Sequence, residues 1–241
     1  MILKQIHLYP DRIAFPIDFV SAFQDQARHL CHLIGNDVAA AKFRTNGFNR
    51  LCIIASHNPK LACDQPTGTG ALVVEVKFDR EEYEKLSSAA LPEYFLRLLI
   101  GGIEKTAKEY SLPLDHFHAA IGKLRDAGYK NVWTHSEKTF RKERLKCKLL
   151  CELTMKQFVL TLSVTKDGQS ILHQEILTTP PDEIAFHHRF KELKLDGQKI
   201  IVQDRFGKLV CEFDFQARTY AVPPPDWRQP FPNGKLSAQG H

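Results

Sequence analysis

Histidine and cysteine are the residue types most able to do chemistry in this chain, and several fall close together. His29-Leu30-Cys31-His32, His116-Phe117-His118 and His187-His188 are local clusters, and His57 precedes Cys63 by six residues in a loop that also holds Asp64. A zinc site needs paired ligand sets at characteristic spacing. His29 and His32 would share a face of a helix, being three apart, but His116 and His118, two apart, would diverge. No C-x-x-C is present, because Cys147 and Cys151 are four apart. The pattern points to surface and core histidines, and no metal and no cofactor is expected. A cysteine nucleophile at Cys63 would need a base within hydrogen-bond reach, which spacing alone does not supply. The G-x-S-x-G elbow is missing. Gly68-Thr69-Gly70 precedes a strand and does not link a strand to a helix, so it reads as a turn and not as a phosphate cradle. No catalytic residue is assigned on these grounds.

Charge is more informative. From Lys123 to Lys148 nine basic residues face three acids, an excess of +6 within a chain whose formal net charge is +5. Its densest stretch contributes Lys138, Arg141, Lys142, Arg144, Lys146 and Lys148, interleaved with aromatic Trp133 and Phe140. These six are the candidate partner-binding residues. Asp79 to Glu93 is the counterweight, with five acids against two bases. A basic, aromatic-containing strip also suits nucleic acid, where phosphate contacts supply affinity and rings stack. That partner ranks second to a protein, since no recognised nucleic-acid motif accompanies the strip.

The elements that would position these residues follow from periodicity. Residues 1–9 predict a strand. Ile17 to Ile34 shows helical spacing through Phe19, Phe23, Ala27, Leu30 and Ile34, with Gly35-Asn36 predicted to stop it. LCIIA at 51–55 and ALVVEVKF at 71–78 predict buried strands on either side of a Pro- and Gly-rich loop. Asp79 predicts a cap for a short helix over 80–87. Leu91 to Tyr110 predicts the strongest helix, with Pro92 at its start and Gly101-Gly102 in its middle, where a close approach to a neighbouring element is expected. Another helix is predicted over 113–127. From Arg144 the period changes to two, with strands predicted at 144–153, 157–165, 170–177, 190–195, 199–204 and 208–215. Asp167-Gly168 and Asp196-Gly197 read as hairpin turns, and Asp182 as the start of a short helical turn.

The fold class is α+β: an N-terminal mixed α/β region over 1–128, packed with a C-terminal antiparallel β-meander over 129–220, with one continuous domain over 1–220 as the alternative division. A boundary is expected within 129–143. The Pro-rich segment 221–241 predicts a tail that is loose or strapped over the surface. Of 241 residues, 43% are hydrophobic and 25% charged, which excludes disorder throughout. No apolar run approaches the length of a spanning helix, so no membrane association is expected. Met1 to Pro10 is too quickly interrupted for a secretory leader. Six scattered cysteines read as free thiols in a reducing, cytoplasmic setting.

In its meander, ERLKCKLLCELTMKQFVLTLSVTKDGQSILHQEI and KIIVQDRFGKLVCEFDF, and in the helix EYFLRLLIGGIEKTAKEY beside it, the chain resembles the bacterial immunity proteins encoded beside interbacterial toxins. The resemblance is architectural. It implies a non-catalytic protein-binding module that neutralises a cognate toxin by covering its active surface through charge complementarity. No residue role is carried over, because no motif aligns. A small-molecule or nucleotide-directed enzyme is the alternative, and a nucleic-acid-binding accessory protein the second alternative.

Overall fold

The computed structural model describes residues 1–223; the tail expected beyond them lies outside the described residues. The elements in chain order are β1 (Gln5–Pro10), α1 (Ile17–Ala40), β2 (Arg50–Ser56), β3 (Ala71–Lys77), α2 (Arg80–Lys85), α3 (Leu91–Ala107), α4 (Leu114–Asp126), β4 (Asn131–Phe140), β5 (Leu145–Leu153), β6 (Phe158–Lys166), β7 (Gln169–Thr179), α5 (Glu183–Phe186), β8 (Glu192–Asp196), β9 (Lys199–Gln203), β10 (Leu209–Asp214) and β11 (Thr219–Ala221). The α+β class holds, and no helix among the described residues is long and apolar enough to cross a membrane.

Strands β1, β2 and β3 form a parallel sheet in that order. Alternation sorts its two faces. Ile6, Leu8, Leu51, Ile53, Leu72 and Val74 are buried, under α1 and α3, which lie against the sheet. The opposite face, with Gln5, His7, Tyr9, Cys52, Ile54 and Val73, is only partly covered. The two apolar runs therefore form strands as expected, but they are fully buried on one side alone, which is unusual for a parallel sheet. Phe23, Phe78 and Phe95 join this core, with Phe23 edge-on to Phe78 at 5.6 Å and to Phe95 at 5.0 Å.

The C-terminal half consists of two four-stranded antiparallel sheets, ordered β4-β5-β6-β7 and β11-β10-β9-β8. Their inner faces share a second apolar cluster that includes Cys147, Leu149, Leu160, Leu162, Ile200 and Phe213. The period-two reading of β5 is matched by strictly alternating burial, with Leu145, Cys147, Leu149, Cys151 and Leu153 inward. Asp167 and Gly168 both take positive φ, 51° and 83°, as the hairpin between β6 and β7 requires.

Three expectations are corrected. Helix α1 does not stop at Gly35 but runs to Ala40. Gly35 is there because a Cβ on it would lie 3.7 Å from the Ile6 nitrogen and 3.9 Å from the Lys4 carbonyl oxygen; it lets helix and strand approach closely. Segment 129–143, for which no strand is predicted, is mostly strand β4, paired with β5 from Asn131↔Leu153 to Phe140↔Leu145. A bulge between Thr134 and Ser136 breaks its alternation, and most of its side chains are exposed. The meander also has an additional last strand, β11, paired with β10 through Phe213↔Tyr220.

The glycine pair in α3 divides into two environments. A Cβ on Gly102 would fall 2.7 Å from the Ile53 side chain, whereas one on Gly101 would meet nothing closer than Val76 at 4.0 Å. Because Ile53 is fully buried, it has little room to yield. Gly102→Ala is expected to destabilise the fold by about 1–3 kcal/mol through overpacking. Gly101→Ala should stabilise it by up to about 1 kcal/mol through helix propensity. Denaturant unfolding of the two variants measures these opposite signs.

Candidate functional site

The chemical clusters picked out by sequence are taken apart by the fold. Cys63 is buried, its N–H donates to Glu109 Oε1 at 2.9 Å, and burial, with the charge of Glu109, pushes its thiol pKa up. A thiol so placed stays protonated and is a poor nucleophile. The His57 ring packs against Phe15 at 5.2 Å and Phe78 at 6.0 Å. His116 and His118 are exposed on α4. Burial pushes the Cys147 and Cys151 thiols to about 12 and, with a smaller contribution from Glu212, the Cys211 thiol to about 11. Cys52, Cys63, Cys147, Cys151 and Cys211 are free thiols. Among the described residues no group of three or more His, Cys, Asp or Glu could hold a metal ion. Gly68-Thr69-Gly70 is a turn into β3, with the Gly70 N–H donating to the Thr67 carbonyl at 2.9 Å.

The six basic candidates all lie on the β4–β5 hairpin, in four different settings. Lys146 and Lys148 share Glu137, at 2.7 and 3.1 Å. Arg144 sits at positive φ and pairs with Asp167 at 3.3 Å. Lys138 stands opposite Cys147 in the register, on the core side of an edge strand. Lys138 is nonetheless exposed, and charge on an edge strand discourages pairing with another chain. Arg141 and Lys142 are exposed in the turn, and with Lys138 they form no ion pair among the described residues. Two acids therefore offset two of the six positive charges, and the three unpaired bases sit at the hairpin's end.

A second feature was not anticipated from sequence. A cleft of about 740 Å³ runs between the two halves, lined on one side by β1 and α1 and on the other by β4 and the segment around α5. His7, Tyr9, Arg12, Cys31 and His32 contribute from the first side, and Trp133, His135, Ile184, Phe186 and Phe190 from the second. Tyr9 lies under the Arg12 guanidinium at 5.2 Å. The His135 ring meets Phe190 edge-on at 4.7 Å, and its pKa is pulled down by desolvation, with a smaller contribution from His187. Two contacts between the halves frame the opening. Arg28 donates to Asp182 Oδ1 at 2.8 Å, and the same oxygen caps α5 by accepting from the Ile184 N–H at 3.0 Å. Asn131 bridges to His32 Nδ1 at 2.9 Å and to the His29 carbonyl at 3.3 Å. Of the sequence-level chemical clusters, only Cys31, His32 and His187 reach this cleft. Its lining comes from four separated stretches of chain, so no local motif could have signalled it.

His29 lies behind the cleft wall, 1% exposed, with Nδ1 making no hydrogen bond. Desolvation lowers its pKa to about 4, against a small opposing pull from the Gln26 backbone. The folded state therefore holds a neutral imidazole that the unfolded chain protonates near 6.5. Stability from this group is present above the unfolded value and is lost as pH falls from about 6.5 toward 4, by at most about 3 kcal/mol. Chemical denaturation across that window should show the loss in the native chain, and His29→Gln should flatten it.

No protein-family model matches this chain, no curated protein matches it in sequence, and no solved structure matches it in fold.

Proposed function

We propose that this chain is a non-catalytic protein-binding module that docks through the end of its β4–β5 hairpin, in its sharpest form an immunity protein covering the active surface of a bacterial toxin. The observation carrying this reading is the state of the charges. Glu137 pairs with both Lys146 and Lys148, and Asp167 with Arg144, so these two acids offset two of the six positive charges, while Lys138, Arg141 and Lys142 are exposed and form no ion pair among the described residues. Lys138 stands near the end of β4, and Arg141 and Lys142 stand in the turn that follows it. Clustered charge of predominantly one sign accelerates encounter with an acidic surface and discriminates against basic ones. Free thiols with raised pKa values and histidines packed on aromatic rings suit a scaffold better than a reaction centre.

The test is affinity capture from the native cells with the wild-type chain and with the triple variant Lys138→Glu, Arg141→Glu, Lys142→Glu. A stoichiometric partner retained by the first and lost by the second is expected. For that purified pair, association should slow by about tenfold or more at low salt and converge with the wild type at high salt. Capture that is equal for both proteins, or a captured nucleic acid in place of a protein, would refute the proposal. The variant changes only exposed positions, so its unfolding midpoint should stay within about 0.5 kcal/mol of wild type.

A further inference from the structure

The cleft between the halves has the size and the lining of a small-molecule site, and it shares no residue with the hairpin's end. Its volume of about 740 Å³ falls within the range of about 300–1,000 Å³ that such ligands occupy. Its charge is one-sided. Lys4, Arg12 and Arg28 are the lining cations, and Asp182 is the single carboxylate among the described lining residues. Arg28 is already engaged, by Asp182 at 2.8 Å and by Asp25 at 3.5 Å. Lys4 and Arg12 form no ion pair among the described residues. They stand at opposite ends of β1, a strand of six residues and about 20 Å, so a small anion meets only one of them. Arg12 is the one with company. Its guanidinium lies over the Tyr9 ring at 5.2 Å, and the Tyr9 hydroxyl is within electrostatic reach of both Arg12 and Arg28. Burial, with smaller contributions from Cys52 and Cys31, holds the Tyr9 pKa above its usual value against those two guanidinium groups. The hydroxyl therefore stays protonated and is able to donate, beside the cations, to an anionic oxygen.

The opposite wall supplies a ring. Trp133 lines the cleft, is half-buried and lies 5.2 Å from the His32 ring. His32 follows Arg28 by four residues on α1, one helical turn or about 5.4 Å along the axis. The cationic end and the indole are therefore set apart by about the span of a sugar. We infer that the cleft binds a nucleoside 5′-monophosphate, with the phosphate at Arg12 and Tyr9 and the base against Trp133. Guanidinium groups recognise phosphate through paired, charge-assisted hydrogen bonds. An aromatic side chain stacks on every base, because every base has a π-face, so these walls select the class of ligand and not the base. Asp182, the carboxylate that would repel a phosphate, is held by Arg28. A ligand so placed touches β1 and α1 on one side and β4 on the other, and nothing in this reading requires it to react.

The probes are adenosine, guanosine, cytidine and uridine 5′-monophosphates, titrated into the purified full chain. Calorimetry measures affinity, and fluorescence in a Trp227→Phe background, where Trp133 is the sole tryptophan, reports contact with the indole. At least one nucleotide is expected to bind at submillimolar concentration and to change the Trp133 emission. Its nucleoside, and inorganic phosphate alone, should each bind more weakly by about tenfold or more, since each engages one end of the cleft. Arg12→Gln should weaken calorimetric binding by about tenfold or more through loss of a charged donor, and Tyr9→Phe should weaken it less. Arg12 is exposed, so its variant should unfold at the wild-type temperature. Four results would overturn the inference: no binding of any nucleotide at millimolar concentration, unchanged Trp133 emission on binding, equal affinity in Arg12→Gln, or phosphate or nucleoside alone binding as tightly as the nucleotide.

Discussion

The closeness of α1 to β1 is the constraint on which both the core and the cleft depend. Ala27, Leu30, Ile34 and Val38 on one side of the helix are buried in the first core, each larger aliphatic stabilising the fold by about 1.5–3 kcal/mol. Gly35 lets that packing tighten until the helix rests against main chain. Another side of the same helix carries Arg28 and His32, which reach Asp182 and Asn131 of the second half. α1 is thus the shared element: it is fixed by burial on one side and sets the position of the cleft on the other. The partly exposed Arg28–Asp182 pair orients more than it stabilises, since such pairs contribute about 0–1 kcal/mol.

The same accounting explains why the reactive residue types do no evident chemistry. Three cysteines serve as inward positions of β5 and β10, where a small apolar group fits between the sheets. His29 is neutral in an apolar setting, and His57 is one ring among several aromatics. Desolvation moves the three thiols and His29 away from their ionised forms. By contrast, Arg141 and Lys142 are exposed in a turn that ends at the positive φ of Arg144.

How much of this was legible depends on whether the signal was local. β5 and β6 could be read because inward and outward residues alternate and hairpin turns are spelled by Asp-Gly. α2 was readable from Asp79, whose carboxylate accepts from the Glu82 N–H at 3.0 Å. Gly35 was misread because a helix-stopping glycine and a glycine at a close approach look alike in sequence; only the neighbour, here Ile6, tells them apart. β4 was missed because an edge strand with a bulge buries little and shows no clean period. The basic hairpin was visible as composition, but its partial neutralisation by Glu137 and Asp167 was not, since Asp167 comes from a different hairpin. The cleft was wholly illegible, as Tyr9, His32, Trp133 and Phe190 meet only through the packing of the two halves.

The second half stands opposite β1 and touches α1 through Asn131 and Asp182, leaving about 740 Å³ between. A gap of that size lined by aromatic and basic side chains forfeits dispersion contacts that closer docking would recover. The relative placement of the halves rests on the Arg28–Asp182 and Asn131–His32 hydrogen bonds, on the His32–Trp133 ring contact at 5.2 Å and on Met155 and Tyr129 packing against the first core, while each half has its own apolar cluster. A ligand contacting both walls at once could tighten or widen that placement with little loss of core packing, so the cleft is the place where binding energy can most readily become a change of shape.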